Sequence, residues 1–238
     1  MDQNEVKERV QSARIQTSVF NSLEKKALVW MAERMPRWVN SDMLTGVGIV
    51  GAVIVAVGYF LSAINLNWLW LASFGFVVNW FGDSLDGTLA RVRNTQRPLY
   101  GFYLDHNIDG INEALMIIGA GLSPLFDLRI ALLALAAYLL LSMYVYINAH
   151  LKNEFRLTYA GLGPTEFRII VIIVNTVYLY TPGLRAWSGS VSILGRPFNF
   201  GVFDIVGLVI VAILVIIYIV SLIGSAREFA RLDPPKKF

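Results

Sequence analysis

The sequence predicts an all-α integral membrane protein: six transmembrane helices preceded by an N-terminal amphipathic interfacial helix segment. Three observations carry that prediction. Of 238 residues, 56% are hydrophobic and only 16% charged, against the ~25% charged of a soluble globular domain. Six apolar runs, at about 43–62, 66–85, 102–122, 128–149, 167–182 and 201–223, approach the ~20 residues that cross a bilayer as helix. Under that topology seventeen of the 20 Lys and Arg share the side of the termini, leaving Arg129, Arg185 and Arg196 opposite. So strong a positive-inside bias predicts a multi-pass protein with the N- and C-termini and the 91–101 loop in the cytoplasm.

Residues 1–40 read as an amphipathic juxtamembrane segment. Val6, Val10, Ala13, Phe20, Leu23, Ala27, Trp30 and Met31 recur at near-helical spacing among Lys7, Arg9, Arg14, Lys25 and Lys26, a pattern suited to an anionic leaflet. Asn21 with Glu24 resembles a capping box, and Pro36 closes the segment. The segment is too charged for a secretory signal, so the N-terminus is expected to be retained. Residues 41–226 form the six-span domain. Its first span carries Gly48, Ala52 and Ala56 at four-residue intervals, a stripe that admits another helix closely. Residues 227–238 read as a cytoplasmic tail. The absence of cysteine excludes disulfides and thiolate chemistry. No basic stripe with interleaved aromatics points to nucleic acid.

Carboxylates are costly inside a membrane and mark function there. At about 100° per residue, Asp83 and Asp86 lie about 60° apart on one helix face, with Ala90 within about 20° of Asp83. On the next span Asp109 lies about 40° from Asp105, Asn112 about 20° to its other side, and Glu113 about 80° round. A short cytoplasmic loop makes the two spans antiparallel neighbours, so the four aspartates converge. Clustered carboxylates repel unless neutralised, and an all-oxygen set suits Mg²⁺, Mn²⁺ or Ca²⁺ better than zinc. A one- or two-metal site would serve phosphoryl transfer, with one carboxylate free to take a proton. Gly87 lets a ligand approach the backbone, and Ala90 leaves the same face clear.

The pattern Asp83-x-x-Asp86-Gly87-x-x-Ala90-Arg91, then Gly101-x-x-x-Asp105-x-x-x-Asp109, resembles the signature of the CDP-alcohol phosphotransferase family at all eight fixed positions. Nine residues separate Arg91 from Gly101, one more than usual. Asp42-Met-Leu44-Thr45 is similar to the family's opening motif, which more often has Asn first. Gly163-Pro164-Thr165-Glu166-Phe-Arg168 is similar to a segment of bacterial members. The resemblance implies two divalent ions, Mg²⁺ or Mn²⁺, on Asp83, Asp86 and Asp105, with Asp109 as a further ligand or the general base. It implies a CDP surface at Gly87, Ala90, Arg91 and Gly101 and a homodimer, and the positive-inside bias turns this expected active site toward the cytoplasm.

The implied reaction transfers a substituted phosphate from a CDP-linked alcohol to an acceptor hydroxyl and releases CMP, one of the two substrates being a lipid. The bacterial-like segment leans toward CDP-diacylglycerol as donor. Asp105-His106-x-x-Asp109 resembles instead the choline or ethanolamine branch, whose acceptor is diacylglycerol. Asn112, Glu113, Glu166 and Arg168 are candidates for acceptor binding, and His106, about 100° from Asp105, points away from the aspartates. The rival of another class is an ion-coupled transporter, which would favour carboxylates at the midplane and paired broken helices.

Overall fold

A computed structural model describes residues 13–15, 21–152, 154–156, 163–193 and 195–235. Helices dominate the described chain: α1 (Asn21–Arg34), α2 (Ser41–Leu61), α3 (Leu69–Val92), α4 (Pro98–Gly121), α5 (Leu128–Lys152), α6 (Pro164–Tyr180), the short α7 (Pro182–Ala186) and α8 (Val202–Leu232). Each of the six expected apolar segments is a helix. Among the described residues, three stretches are long and apolar enough to cross a membrane: Ser41–Leu61, Leu128–Leu151 and Val202–Leu232. The other long helices carry the acidic motif, or in α6 have 17 residues. Exposed Leu, Ile and Val cover the outer faces, most densely on α8, as an apolar surrounding requires.

Helices α2 and α3 form the centre of the bundle. A Cβ on Gly51 would fall 2.3 Å from the Asn79 backbone nitrogen, one on Gly58 2.4 Å from that of Ala72, and one on Gly82 2.3 Å from that of Gly48. Only hydrogen side chains permit so close a crossing. The expected stripe therefore divides: Gly48 and Ala52 are buried in this crossing, whereas Ala56 meets Gly119 of α4. Ala52, Val55, Tyr59, Leu69, Ala72, Phe76, Met116 and Phe203 form one core cluster. Fully buried Asn175 ties α6 in, accepting from the Tyr59 hydroxyl at 2.9 Å and facing Ser73 Oγ at 3.2 Å.

Some expectations need correction. Helix α1 buries Leu28 and Ala32 against Leu44, Leu85 and Leu89, with Met31 and Met35 beside them. Ala27 and Trp30 face outward, because the bundle claims the stripe at spacings of three and four that contains Leu28. Val6, Val10 and Phe20 lie outside the described residues. Ala13–Ile15 is not helical but a strand, β1, paired in parallel with β2 (Glu154–Arg156), an arrangement that satisfies backbone groups of both segments. The Glu24 carboxylate accepts hydrogen bonds from other helices, and the Asn21 side chain of the expected capping box lies outside the described residues. Within the 183–200 connection, β3 (Gly189–Ile193) and β4 (Arg196–Phe200) form an antiparallel hairpin. Helix α8 continues to Leu232, so the tail expected from residue 227 begins as helix.

The α3–α4 connection is tight. Asn94 ends α3 with φ +55°, a left-handed cap that Asn tolerates. Arg93 donates to the carbonyls of Val39, Met35 and Pro36, fastening the α1–α2 turn beneath the loop. Pro98 then starts α4, where a missing N–H costs nothing.

Candidate active site

Asp83 and Asp86 sit near the C-terminal end of α3, and Asp105 and Asp109 one turn apart in the first half of α4. The antiparallel hairpin brings one carboxylate oxygen each of Asp83, Asp105 and Asp109 within 4.8 Å of one another. Asp86 is not in that group. Its Oδ2 accepts from Thr45 Oγ1 at 2.7 Å and its Oδ1 from the Gly87 N–H, while Ser41 Oγ donates to its carbonyl at 2.9 Å. It nevertheless lines one cleft with Asp83, Asp105, Thr45, Gly48, Ile108 and Asn112.

Opposite this cluster stands Arg168 of α6. Its buried guanidinium donates to Asp83 Oδ2 at 2.6 Å and lies within electrostatic reach of Asp109 and Glu113. Arg168 is thus a counter-charge to the aspartates. Glu166 does not reach the cluster through its bonded oxygen: Oε2 accepts from the Gly163 N–H at 2.9 Å and caps α6. Its Oε1 is buried without a hydrogen-bond partner among the described residues. Asn112 is 4% exposed; its Oδ1 likewise lacks a partner while the side chain lines the aspartate cleft.

The residues expected to line a nucleotide surface stand apart from the aspartate cluster. The Arg91 guanidinium donates to Thr88 Oγ1 at 2.9 Å and folds back so that a Cβ on Gly87 would meet it at 3.4 Å. Ala90 lies on the same helix, half-buried. Gly101 stands exposed in the first turns of α4, with nothing within 4 Å of an added Cβ. His106 is not among the residues lining the cleft, since its ring stacks on Phe102 at 4.1 Å and meets Tyr146 edge-on at 4.8 Å, but it does not point clear of the aspartates as its helical angle suggested: its Nδ1 lies 3.7 Å from Asp105 Oδ2. Thr45, Gly48 and Ile108 are the residues whose place in the cleft sequence reasoning missed. A hydroxyl one turn inside an apolar span, just after Asp42, was the available signal.

The donor set suits a metal ion. Three carboxylates converge without a thiolate or imidazole in the group, and an orphaned amide oxygen lines the same cleft, the chemistry that holds hard divalent cations. A helical membrane bundle with an acidic centre shared by two adjacent helices is the class of protein these features define. The chain belongs to the CDP-alcohol phosphatidyltransferase family, whose family model matches residues 38–230. It is 28% identical over 144 residues to archaetidylinositol phosphate synthase of Methanothermobacter thermautotrophicus, covering 60% of this chain and 69% of that one. It is 24% identical over 192 residues to cholinephosphotransferase 1 of Danio rerio, covering 76% of this chain and 48% of that one. It is also 28% identical over 139 residues to phosphatidylinositol phosphate synthase of Cutibacterium acnes, covering 57% of this chain and 65% of that one. The chain spans about half the length of the cholinephosphotransferases it matches. Nothing in these matches supports the transporter reading.

Proposed function

We propose that this chain is a divalent-metal-dependent phosphotransferase of phospholipid synthesis, moving a substituted phosphate from a CDP-linked alcohol, CDP-diacylglycerol in the first instance, to the hydroxyl of an acceptor alcohol. The observation that carries it is the convergence of Asp83, Asp105 and Asp109 inside a complete family motif. In the transfer, the acceptor oxygen forms a bond to the phosphorus attached to the donor alcohol. The bond from that phosphorus to the bridging oxygen breaks, and the electron pair leaves with CMP.

Asp83, Asp105 and Asp109 would hold the divalent ions, with Asp86, oriented by Thr45, completing the set. Bound there, the ions would supply charge neutralisation for the diphosphate and the leaving oxygen. Asp109, on the same helical stripe as Asp105, is positioned to take the proton of the acceptor hydroxyl. Arg168 contributes a fixed positive charge beside the transferring phosphate, and Gly87 with Arg91 offers an open backbone and a cation to the nucleotide at the mouth. Asn112 presents an unpaired oxygen to a hydroxyl in the same cleft. Glu113 is within reach of Arg168 and serves to orient it. The six long helices are taken as spans, with both termini and the aspartates toward the cytoplasm, on the strength of the positive-inside bias.

A second reading has its own support. Asp105-His106-x-x-Asp109 and the cholinephosphotransferase relatives favour a CDP-linked head group and a diacylglycerol acceptor. CMP release by the purified protein separates the two: CDP-diacylglycerol, CDP-choline and CDP-ethanolamine are each supplied with a panel of acceptors, with and without EDTA. The proposal requires release from one pair and its loss with chelator. Asp105→Asn is expected to abolish turnover, and Asp109→Asn to lower it at least a hundredfold, as loss of a general base does. Near-full turnover in Asp109→Asn would remove Asp109 from the base role.

A further inference from the structure

Helix α1 reaches the centre of the bundle through one carboxylate. Glu24 Oε1 accepts from Trp80 Nε1 of α3 at 2.7 Å and from Thr165 Oγ1 of α6, also at 2.7 Å. Trp80 lies three residues before Asp83, and Thr165 three residues before Arg168. Three residues on a helix return to nearly the same face, so each donor to Glu24 stands beside one member of the Asp83–Arg168 pair. The two helices that meet at Glu24 are therefore those that bring the guanidinium to the aspartates. Leu28 and Ala32 hold α1 in place against Leu44, Leu85 and Leu89, and Arg93 fastens its far end.

We propose that Glu24 is a positioning residue, a juxtamembrane bracket that fixes the first turn of α6 against α3 and so sets where Arg168 stands relative to Asp83. The assignment rests on the proposed function only for its kinetic consequence. Its structural consequence is independent of any substrate. The first turn of α6 is held from two sides, by Glu166 on Gly163 within the helix and by Glu24 from outside it. One oxygen that accepts at 2.7 Å from donors on two different helices specifies a spacing rather than a mere contact. Glutamine retains an acceptor oxygen at the same place, and alanine does not.

The chain has no cysteine, so spin labels can be placed at two chosen sites. Val77→Cys on α3 and Ile170→Cys on α6 replace side chains that are 48% and 42% exposed. Pulsed electron–electron distances are read in lipid nanodiscs, at a temperature where circular dichroism shows the helices intact. Glu24→Ala is expected to displace and broaden the distance distribution, and Glu24→Gln to leave it as in the parent. Thr165→Val, which removes one donor at nearly constant volume, gives the same comparison if Glu24→Ala does not fold. In parallel, kcat/KM for CMP release is expected to fall on the order of tenfold in Glu24→Ala, the scale of the two hydrogen bonds lost, and to recover in Glu24→Gln. Parent-like distances in both Glu24→Ala and Thr165→Val overturn the bracket, as does Glu24→Gln behaving like Glu24→Ala. A parent that releases no CMP from any substrate pair overturns the proposed function instead, and leaves the distance comparison readable.

Discussion

Gly82→Ala concentrates the mechanical demands of the site into one methyl group. Its Cβ would stand 2.3 Å from the Gly48 nitrogen, 2.5 Å from the Leu44 oxygen and 2.8 Å from the Gly48 Cα. Ordinary contact begins near 3.4 Å, so α2 must retreat by about 1 Å. All three obstacles are backbone atoms and cannot rotate aside. Overpacking of this kind costs ~1–3 kcal/mol, and rigid obstacles put this case at the upper end. The retreat also carries Thr45 away from Asp86. Their 2.7 Å bond would pass ~3.5 Å and be lost, leaving a partly buried carboxylate short of one donor. A total of about 3–4 kcal/mol lowers the melting temperature by roughly 6 to 16 °C for a chain of this size, and CMP release falls with it. The control is Gly46→Ala on α2, where nothing lies within 4 Å of the new Cβ and helix propensity gains up to ~1 kcal/mol. Thermal melting in detergent and CMP release compare the two. If Gly82→Ala melts within a degree or two of the parent and keeps its turnover, the close crossing does not position the aspartates.

Further outcomes follow from the same contacts. Arg168→Gln deprives Asp83 of its 2.6 Å partner, and breaking a pair so little exposed costs ~3–5 kcal/mol. Its melting temperature should drop without added metal and recover more than the parent's when Mg²⁺ or Mn²⁺ is supplied, which a thermal-shift titration reads directly. Arg93→Ala frees the carbonyls of Met35, Pro36 and Val39 and should raise amide hydrogen exchange through α1 and residues 35–40 by about tenfold or more. Exchange unchanged from the parent across that segment would show that Arg93 does not hold it.

Much of the site was legible because its residues are neighbours on two helices. Asp83 with Asp86, and Asp105 with Asp109, share faces by angular arithmetic alone, and a short loop leaves their helices little choice but to meet. What arithmetic along one helix cannot supply is the partner arriving from elsewhere. Thr45 is 41 residues from Asp86, Arg168 is 85 from Asp83, and Glu24 is 141 from Thr165. Hence Asp86, equal to the other aspartates by spacing, is set apart by a hydroxyl from α2. Glu166 and Arg168, neighbours in one segment, have different tasks: one caps its own helix and the other crosses to the aspartates.

The sequence by itself determined the apolar helices, their order and the acidic motif that the family shares, since each is written in local periodicity and spacing. The tertiary structure alone decided which carboxylates converge, which cation answers them and which face of α1 is covered. Those depend on how closely glycines let α2 and α3 approach, and on side chains from distant helices that desolvation forces to find one another.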